Sequence, residues 1–104
     1  MRTFILLSTL SPQGVQTLRA TPERLLEVNR EVEALGGRVL DQWAVLGAYD
    51  FLSVVEAPDS AAITKITLEL SARGSAHFET LPALDVDELI DLMAGFAEPP
   101  KVVG

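Results

Sequence analysis

A histidine and a glutamate two positions apart are the clearest candidates for acid–base chemistry in this sequence. In "AHFETLP", residues 76 to 82, His77 and Glu79 fall on one side of a regular strand and Thr80 on the other. An imidazole beside a carboxylate titrates near neutral pH, so the pair could transfer a proton or bind a polar ligand. A solvent-facing edge strand explains the same pattern without any chemistry.

A second candidate lies in "WAVLGAYDF", residues 43 to 51. Gly47 occupies the first central position of a predicted two-residue type II′ turn, where φ must be positive. Asp50 is a poor strand former, so its carboxylate needs a backbone donor or a ligand. We predict that Gly47 is structural, that Asp50 ties this hairpin to the loop at residues 11 to 14, and that Tyr49 contacts a ligand.

Metal and cofactor chemistry has little support in the sequence. Trp43, the single indole, could line a ligand pocket, although a tryptophan in a core or a dimer face is commoner. A carboxylate metal site would require Asp41, Asp50 and Glu79 to converge, and nothing in their spacing demands it. The chain has one histidine and no cysteine, which excludes multi-histidine, thiolate and iron–sulfur sites. We therefore expect no metal and no cofactor.

The composition excludes further classes of partner. The 104 residues suffice for one domain, and 15 acidic against 8 basic side chains give a net charge of −7. Because the basic residues are scattered, we expect no binding to nucleic acid or to anionic membranes. No apolar stretch approaches the roughly 20 residues that span a bilayer. The expected location is the cytoplasm.

The hydrophobic pattern predicts four strands and three main helices. The strands are expected at 3–9, 38–46, 49–57 and 76–82, and the helices at about 22–35, at about 60–73, and from Asp85 onwards. Thr21 is expected to cap the first helix, after a short helical turn within 14–20. The order βαββαβ with a terminal helix predicts a ferredoxin-like α+β sandwich. Residues 1–97 are expected to form one domain, followed by a tail at 98–104.

Both faces of the predicted sheet are apolar. The first strand alternates Phe4 and Leu6 with Ile5 and Leu7, and the third strand shows the same pattern. Two helices cover only one face, and soluble monomers rarely expose an apolar patch of several hundred Å². We predict a homodimer or higher homo-oligomer that packs sheet to sheet. In the alternative, the last helix covers the second face; its predicted inward residues are Val86, Leu89, Leu92 or Met93, and Phe96.

Five short motifs resemble those of the GYD domain family. They are Gly47-Ala48-Tyr49-Asp50, "TLSPQGVQTLR" at 9–19 with Ser11 in the place of a threonine, "LGG" at 35–37, "VVEAPD" at 54–59 and "ETL" at 79–81. The resemblance spans about residues 3–96 and implies a ferredoxin-like fold and a dimeric α/β barrel. Where the family usually has a basic residue after the last motif, this chain has Pro82, so an anion-binding role there is not carried over.

Two functional hypotheses follow from the sequence. The first is a dimeric module that binds or senses a small molecule without catalysis. The alternative is a cofactor-independent enzyme of the small monooxygenase or isomerase type. One histidine among scattered carboxylates supports acid–base catalysis only weakly, so we favour the first hypothesis.

Overall fold

Four antiparallel strands form the sheet of the computed structural model, which describes residues 1–95. In this part of the chain the strands are β1 (Arg2–Leu10), β2 (Arg38–Ala44), β3 (Phe51–Ala57) and β4 (Ala76–Ala83), and the helices are α1 (Pro12–Ala20), α2 (Arg24–Ala34), α3 (Ser60–Ser71) and α4 (Val86–Ala94). The strand order is β2-β3-β1-β4. This is the predicted ferredoxin-like α+β arrangement.

The core lies between one face of the sheet and helices α2 and α3. β1 contributes Phe4 and Leu6 to it, and their neighbours on the strand point to the other face. α3 contributes Ile63, Ile66 and Leu70, whose spacing of three and four places them on one helical stripe. This stripe confirms the helical period predicted for the segment.

α1 is a full helix of nine residues where the sequence predicted only a short turn. The Ser11 hydroxyl accepts a hydrogen bond from the Gly14 N–H at 3.0 Å and so caps the helix. The Ser11 N–H donates to the Ser75 carbonyl at 2.9 Å, which joins this corner to the start of β4. A Cβ on Gly14 would lie 2.1 Å from the Ser75 oxygen. Only glycine therefore permits this contact between helix and strand.

The prediction that Thr21 caps the helix expected at about 22–35 is wrong, because α1 continues to Ala20 and α2 begins only at Arg24. Thr21 ends α1 instead, since its N–H donates to the Thr17 carbonyl at 2.9 Å. A short turn follows, and α2 begins at Arg24 after Glu23, which makes no side-chain capping bond. Thr21 lies two residues before Glu23, the N-cap position of α2, and so does not cap that helix.

The hairpin between β2 and β3 is wider than the predicted two-residue turn. The strands end at Ala44 and begin at Phe51, and Val45 N–H donates to the Asp50 carbonyl at 2.9 Å. The N–H of Asp50 donates to the Ser8 carbonyl of β1 at 2.8 Å, so Asp50 bonds both to β1 and to the residue that follows β2. Gly47 has φ +112°, so the predicted positive φ is confirmed although the type II′ turn is not.

α4 projects its apolar side chains into solvent. Asp85 caps it as predicted, by accepting a hydrogen bond from the Asp87 N–H at 2.8 Å. The predicted inward residues Val86 and Met93 are 65% and 62% exposed, and Leu89 and Leu92 are also exposed. The helix therefore does not cover the second sheet face. The last predicted inward residue, Phe96, and the predicted tail at 98–104 lie outside the described residues.

The second face of the sheet is apolar, and no helix within residues 1–95 covers it. We call it the open face. It is centred on half-buried side chains from β1 and β3 and flanked by more exposed ones from β2 and β4: Ile5, Leu7, Leu52, Val54, Trp43 and Leu81. Trp43 is 53% and Leu81 45% exposed. An apolar surface of this kind favours association.

Candidate functional site

A cavity of about 110 Å³ lies between the helix-covered face of the sheet and helices α1 and α2. Its lining is mostly apolar and includes Leu25 and Val28 from α2, Phe51 from β3 and Phe78 from β4. Cavities of this type bind small molecules when a few polar groups converge on the apolar wall.

Three polar side chains form such a group on the cavity wall. The Asn29 amide of α2 donates to the Gln42 side-chain oxygen at 3.0 Å, and the Gln42 amide donates to the Ser53 hydroxyl at 3.2 Å. All three residues line the cavity. We call them the amide chain. Each keeps further donors or acceptors that a bound molecule could use.

A bulge in β2 places Gln42 in the amide chain. The pairing with β3 shifts between Val39 and Asp41, so Val39 and Gln42 are three residues apart and yet both line the cavity. In a regular strand, residues three apart point to opposite faces. The extra residue of the bulge therefore turns Gln42 towards the helices and Trp43 towards the open face.

Two arginines form part of the cavity rim. Arg24, at the start of α2, pairs with Glu27, and Arg73, just after α3, pairs with Glu31 of α2. The two arginine side chains are 40% and 41% exposed, so they extend from the cavity towards solvent. The second ion pair also joins the end of α3 to α2.

Asp50 fixes the end of β1 next to the cavity. Its carboxylate accepts a hydrogen bond from the Leu10 N–H at 2.7 Å, and its own N–H donates to the Ser8 carbonyl. Ser8 and Leu10 both line the cavity. The sequence predicted a tie to the loop at residues 11 to 14, and the bond goes instead to the residue just before that loop.

Tyr49, the residue before Asp50, makes its side-chain hydrogen bond to β4. Its hydroxyl donates to a Glu79 carboxylate oxygen of β4 at 2.5 Å. Donation to Glu79, together with desolvation and the negative charge of that carboxylate, raises the pKa of Tyr49. The phenol is therefore neutral at physiological pH and acts as a donor.

The other predicted site residues lie with Tyr49 rather than with the cavity. Trp43, Leu52, Leu7 and Glu79 are consecutive partners in the strand register and form a row across the open face. His77 is exposed and pairs with Thr9, two positions from Glu79 on the same side of β4. The described cavity lining includes none of Trp43, Tyr49, Asp50, His77 and Glu79.

Sequence reasoning missed the polar residues of the cavity. One signal for them was present: Ser8 and Ser53 occupy core-facing positions of β1 and β3 and are buried. Polar side chains at buried strand positions often mark a site. Gln42 could not be found in this way, because its direction depends on the bulge.

The segment 1–95 holds no group of three or more His, Asp or Glu side chains placed to bind a metal ion. Its helices are all too short or too polar to cross a bilayer.

The sequence matches known proteins over most of its length. The model of the GYD domain matches residues 4–93. The chain belongs to the GYD domain family. It is 52% identical over 91 residues to a protein of Thermus thermophilus named "Glutamine synthetase and cystathionine beta-lyase binding protein", an alignment that covers 86% of this chain and 96% of that one.

The fold also matches a solved structure. The crystal structure of TTHA0845 from Thermus thermophilus superimposes with a TM-score of 0.53 at 22% identity, over 82% of this chain and 95% of that one. At this identity the likeness concerns the fold alone.

Proposed function

We propose that this protein is a homodimeric binding module of the cytoplasm that senses a small molecule and binds partner enzymes, without catalysis. The observation that carries the proposal is the cavity of about 110 Å³ with the amide chain on its wall. An apolar pocket with a few convergent polar groups is the usual form of a small-molecule site.

The chemistry of the cavity supports binding over catalysis. Its polar groups are amides, hydroxyls and guanidinium groups, contributed for example by Asn29, Ser53 and Arg24. Such groups donate and accept hydrogen bonds at neutral pH but do not change protonation there. They suit the recognition of a ligand better than the transfer of a proton.

The named relative supports a second kind of partner. The Thermus protein is named for binding glutamine synthetase and cystathionine beta-lyase, and it is 52% identical to this chain. We propose that this protein also binds metabolic enzymes, and that occupancy of the cavity controls this binding. Its charge of −7 supports our expectation that nucleic acids and anionic membranes are not partners.

The open face supports the homodimer. Its centre is formed by Ile5, Leu7, Leu52 and Val54, which the helices leave uncovered. Packing two copies sheet to sheet would bury these residues and give the dimeric α/β barrel predicted from the sequence. In this proposal Trp43, Tyr49, His77 and Glu79 belong to the dimer face or its edge. A ligand contact by Tyr49 stays a prediction.

The cavity is tested by filling it. Small metabolites are screened against the full chain by thermal shift, and those that stabilise it are tested again with Val28→Phe, which inserts a ring into the cavity. The matched control is Val15→Phe, on the solvent-exposed surface of α1. We expect Val28→Phe to abolish the shifts and Val15→Phe to keep them. Stabilisation that survives Val28→Phe, or none from any compound, would contradict the cavity as the binding site.

The enzyme partners are tested with purified proteins. Glutamine synthetase and cystathionine beta-lyase from the same organism as this chain are immobilised separately, and binding is measured by biolayer interferometry. We expect saturable binding that changes when a cavity ligand is added. Saturable binding that is indifferent to the ligand would overturn the sensing role, and no binding to either enzyme would overturn the proposed partners.

A further inference from the structure

We propose, on the basis of the function proposed above, that the cavity takes a small carboxylic acid whose apolar body lies inside and whose carboxylate reaches the arginines at the rim. Two ion pairs at the rim support this class of ligand. Arg24 and Arg73 line the cavity, whereas their partners Glu27 and Glu31 do not belong to the described lining. Both arginines therefore form part of the cavity wall, with side chains that reach the rim.

The arginines retain capacity for a ligand. A guanidinium group has five N–H donors in a planar fork that matches a carboxylate. One glutamate leaves several of these donors free on each arginine. Arg24 pairs with Glu27 and Arg73 with Glu31, and these two glutamates are four residues apart on α2, a rise of about 6 Å. The two arginines are therefore near neighbours at the rim, and a ligand with a single carboxylate can bind either of them.

The size and polarity of the cavity define the rest of the ligand. A cavity of about 150 Å³ with an aliphatic and aromatic lining holds a benzene molecule. The present cavity of about 110 Å³ is open at the rim, so it accommodates a six-membered ring or a short branched chain with its polar end outside. Phe51, Phe78 and Val28 would contact the apolar body, and the amide chain would bind one further polar substituent.

The overall charge favours a ligand with one negative charge. The chain carries −7, which repels multiply charged anions such as phosphate esters at long range. A monocarboxylate meets less repulsion and gains a charge-assisted hydrogen bond at the rim.

Benzoate and benzamide are the probes for this ligand class, because they have the same shape and differ in charge. Their affinities are measured by isothermal titration calorimetry with the full chain. We expect benzoate to bind about tenfold tighter than benzamide, since its bonds to arginine are charge-assisted. Equal affinities, or a preference for benzamide, would overturn the carboxylate and leave the cavity as a binding site intact.

Variants then locate the carboxylate. Arg24→Met and Arg73→Met are titrated separately, with Arg30→Met on the exposed surface of α2 as the matched control. We expect at least one of the first two to lower benzoate affinity about tenfold without changing that of benzamide, and the control to change neither. If neither Arg24→Met nor Arg73→Met lowers the affinity for benzoate, the role of the rim is overturned. If neither probe binds, or both bind Val28→Phe as well as the unmodified chain, the carboxylate site and the cavity itself are both overturned.

Discussion

The two faces of the sheet have similar apolar strands and different surroundings. On the helix-covered face, Leu6 and Val55 are buried beneath α2 and α3, and polar residues such as Ser53 face a cavity. On the open face, Leu7 and Val54 are only half-buried. The alternation of residues along a strand therefore determines which face a side chain lies on. The helices packed on that face determine whether the side chain is buried, lines a cavity or stays exposed. We expect changes beside the cavity to alter folding, and changes on the open face to alter association.

Gly14 is expected to give the largest effect on the cavity side. A Cβ at this position would lie 2.1 Å from the Ser75 carbonyl oxygen, so α1 must move away from the start of β4. We expect Gly14→Ala to lower the free energy of unfolding by about 3 kcal/mol, as measured by urea denaturation. Val15→Ala, on the exposed side of the same helix, is the control and should change little. An unchanged midpoint for Gly14→Ala would show that this close contact is not required.

Asp50 is expected to have the next largest effect. Replacing it with alanine removes the carboxylate that accepts the Leu10 N–H at 2.7 Å and leaves that part-buried donor unpaired. We expect Asp50→Ala to cost about 2 kcal/mol in chemical denaturation and to speed amide exchange at Leu10. Asp41→Ala, an exposed carboxylate on β2, is the matched control. Equal stability of the two variants would mean that Asp50 does not hold the end of β1.

A substitution at Gly47 tests the backbone conformation of the turn without a change in packing. A Cβ there would meet no atom within 4 Å, so only the φ of +112° opposes a side chain. We expect Gly47→Ala to cost about 1 to 2 kcal/mol in thermal or urea unfolding and to leave ligand binding unchanged. Ala48→Ser, at the next position, controls for substitution in the same loop. A variant as stable as the unmodified protein would show that the loop readily adopts another conformation.

Tyr49 is expected to give the smallest effect on the stability of a single copy, because within the chain its bond to Glu79 is exposed to solvent. The bond raises the pKa of Tyr49 in the folded state. Its contribution is therefore complete below the unfolded pKa of about 10 and is lost as the pH rises through the higher folded value. Tyr49→Phe should remove this dependence.

The single tyrosine makes the pKa of Tyr49 directly measurable. Ultraviolet absorbance of the phenolate is followed during an alkaline titration of the folded protein, with Glu79→Gln as the control. We expect the midpoint to lie above that of a free tyrosine amide and to fall in Glu79→Gln. A midpoint at the ordinary value in the unmodified protein would refute the hydrogen bond.

The fold could be predicted from the sequence because its signals are local and repeated. The stripe at Ile63, Ile66 and Leu70 predicted α3, and the alternation in β1 predicted a sheet with two apolar faces. The start of α2 could not be predicted, since Thr21 is a plausible N-cap in isolation and serves α1 in the structure.

The cavity could be predicted less well than the fold, because its polar residues are far apart in the sequence. The amide chain joins Asn29, Gln42 and Ser53 from three elements, and it depends on a bulge in β2 that the alternating pattern does not reveal. The residues chosen from the sequence, such as His77 and Glu79, stand out by type, and their register places them on the open face.

The different roles of the two faces are tested most directly by sedimentation equilibrium of the unmodified chain and of Leu7→Lys at micromolar concentration. Leu7 lies at the centre of the open face, between Leu52 and Glu79. We expect the unmodified protein to have twice the chain mass of 11.2 kDa, and Leu7→Lys to be a folded monomer that still binds the ligands of the cavity. A folded, monomeric unmodified protein would contradict the account, because the open face would then be stable in water without a second copy.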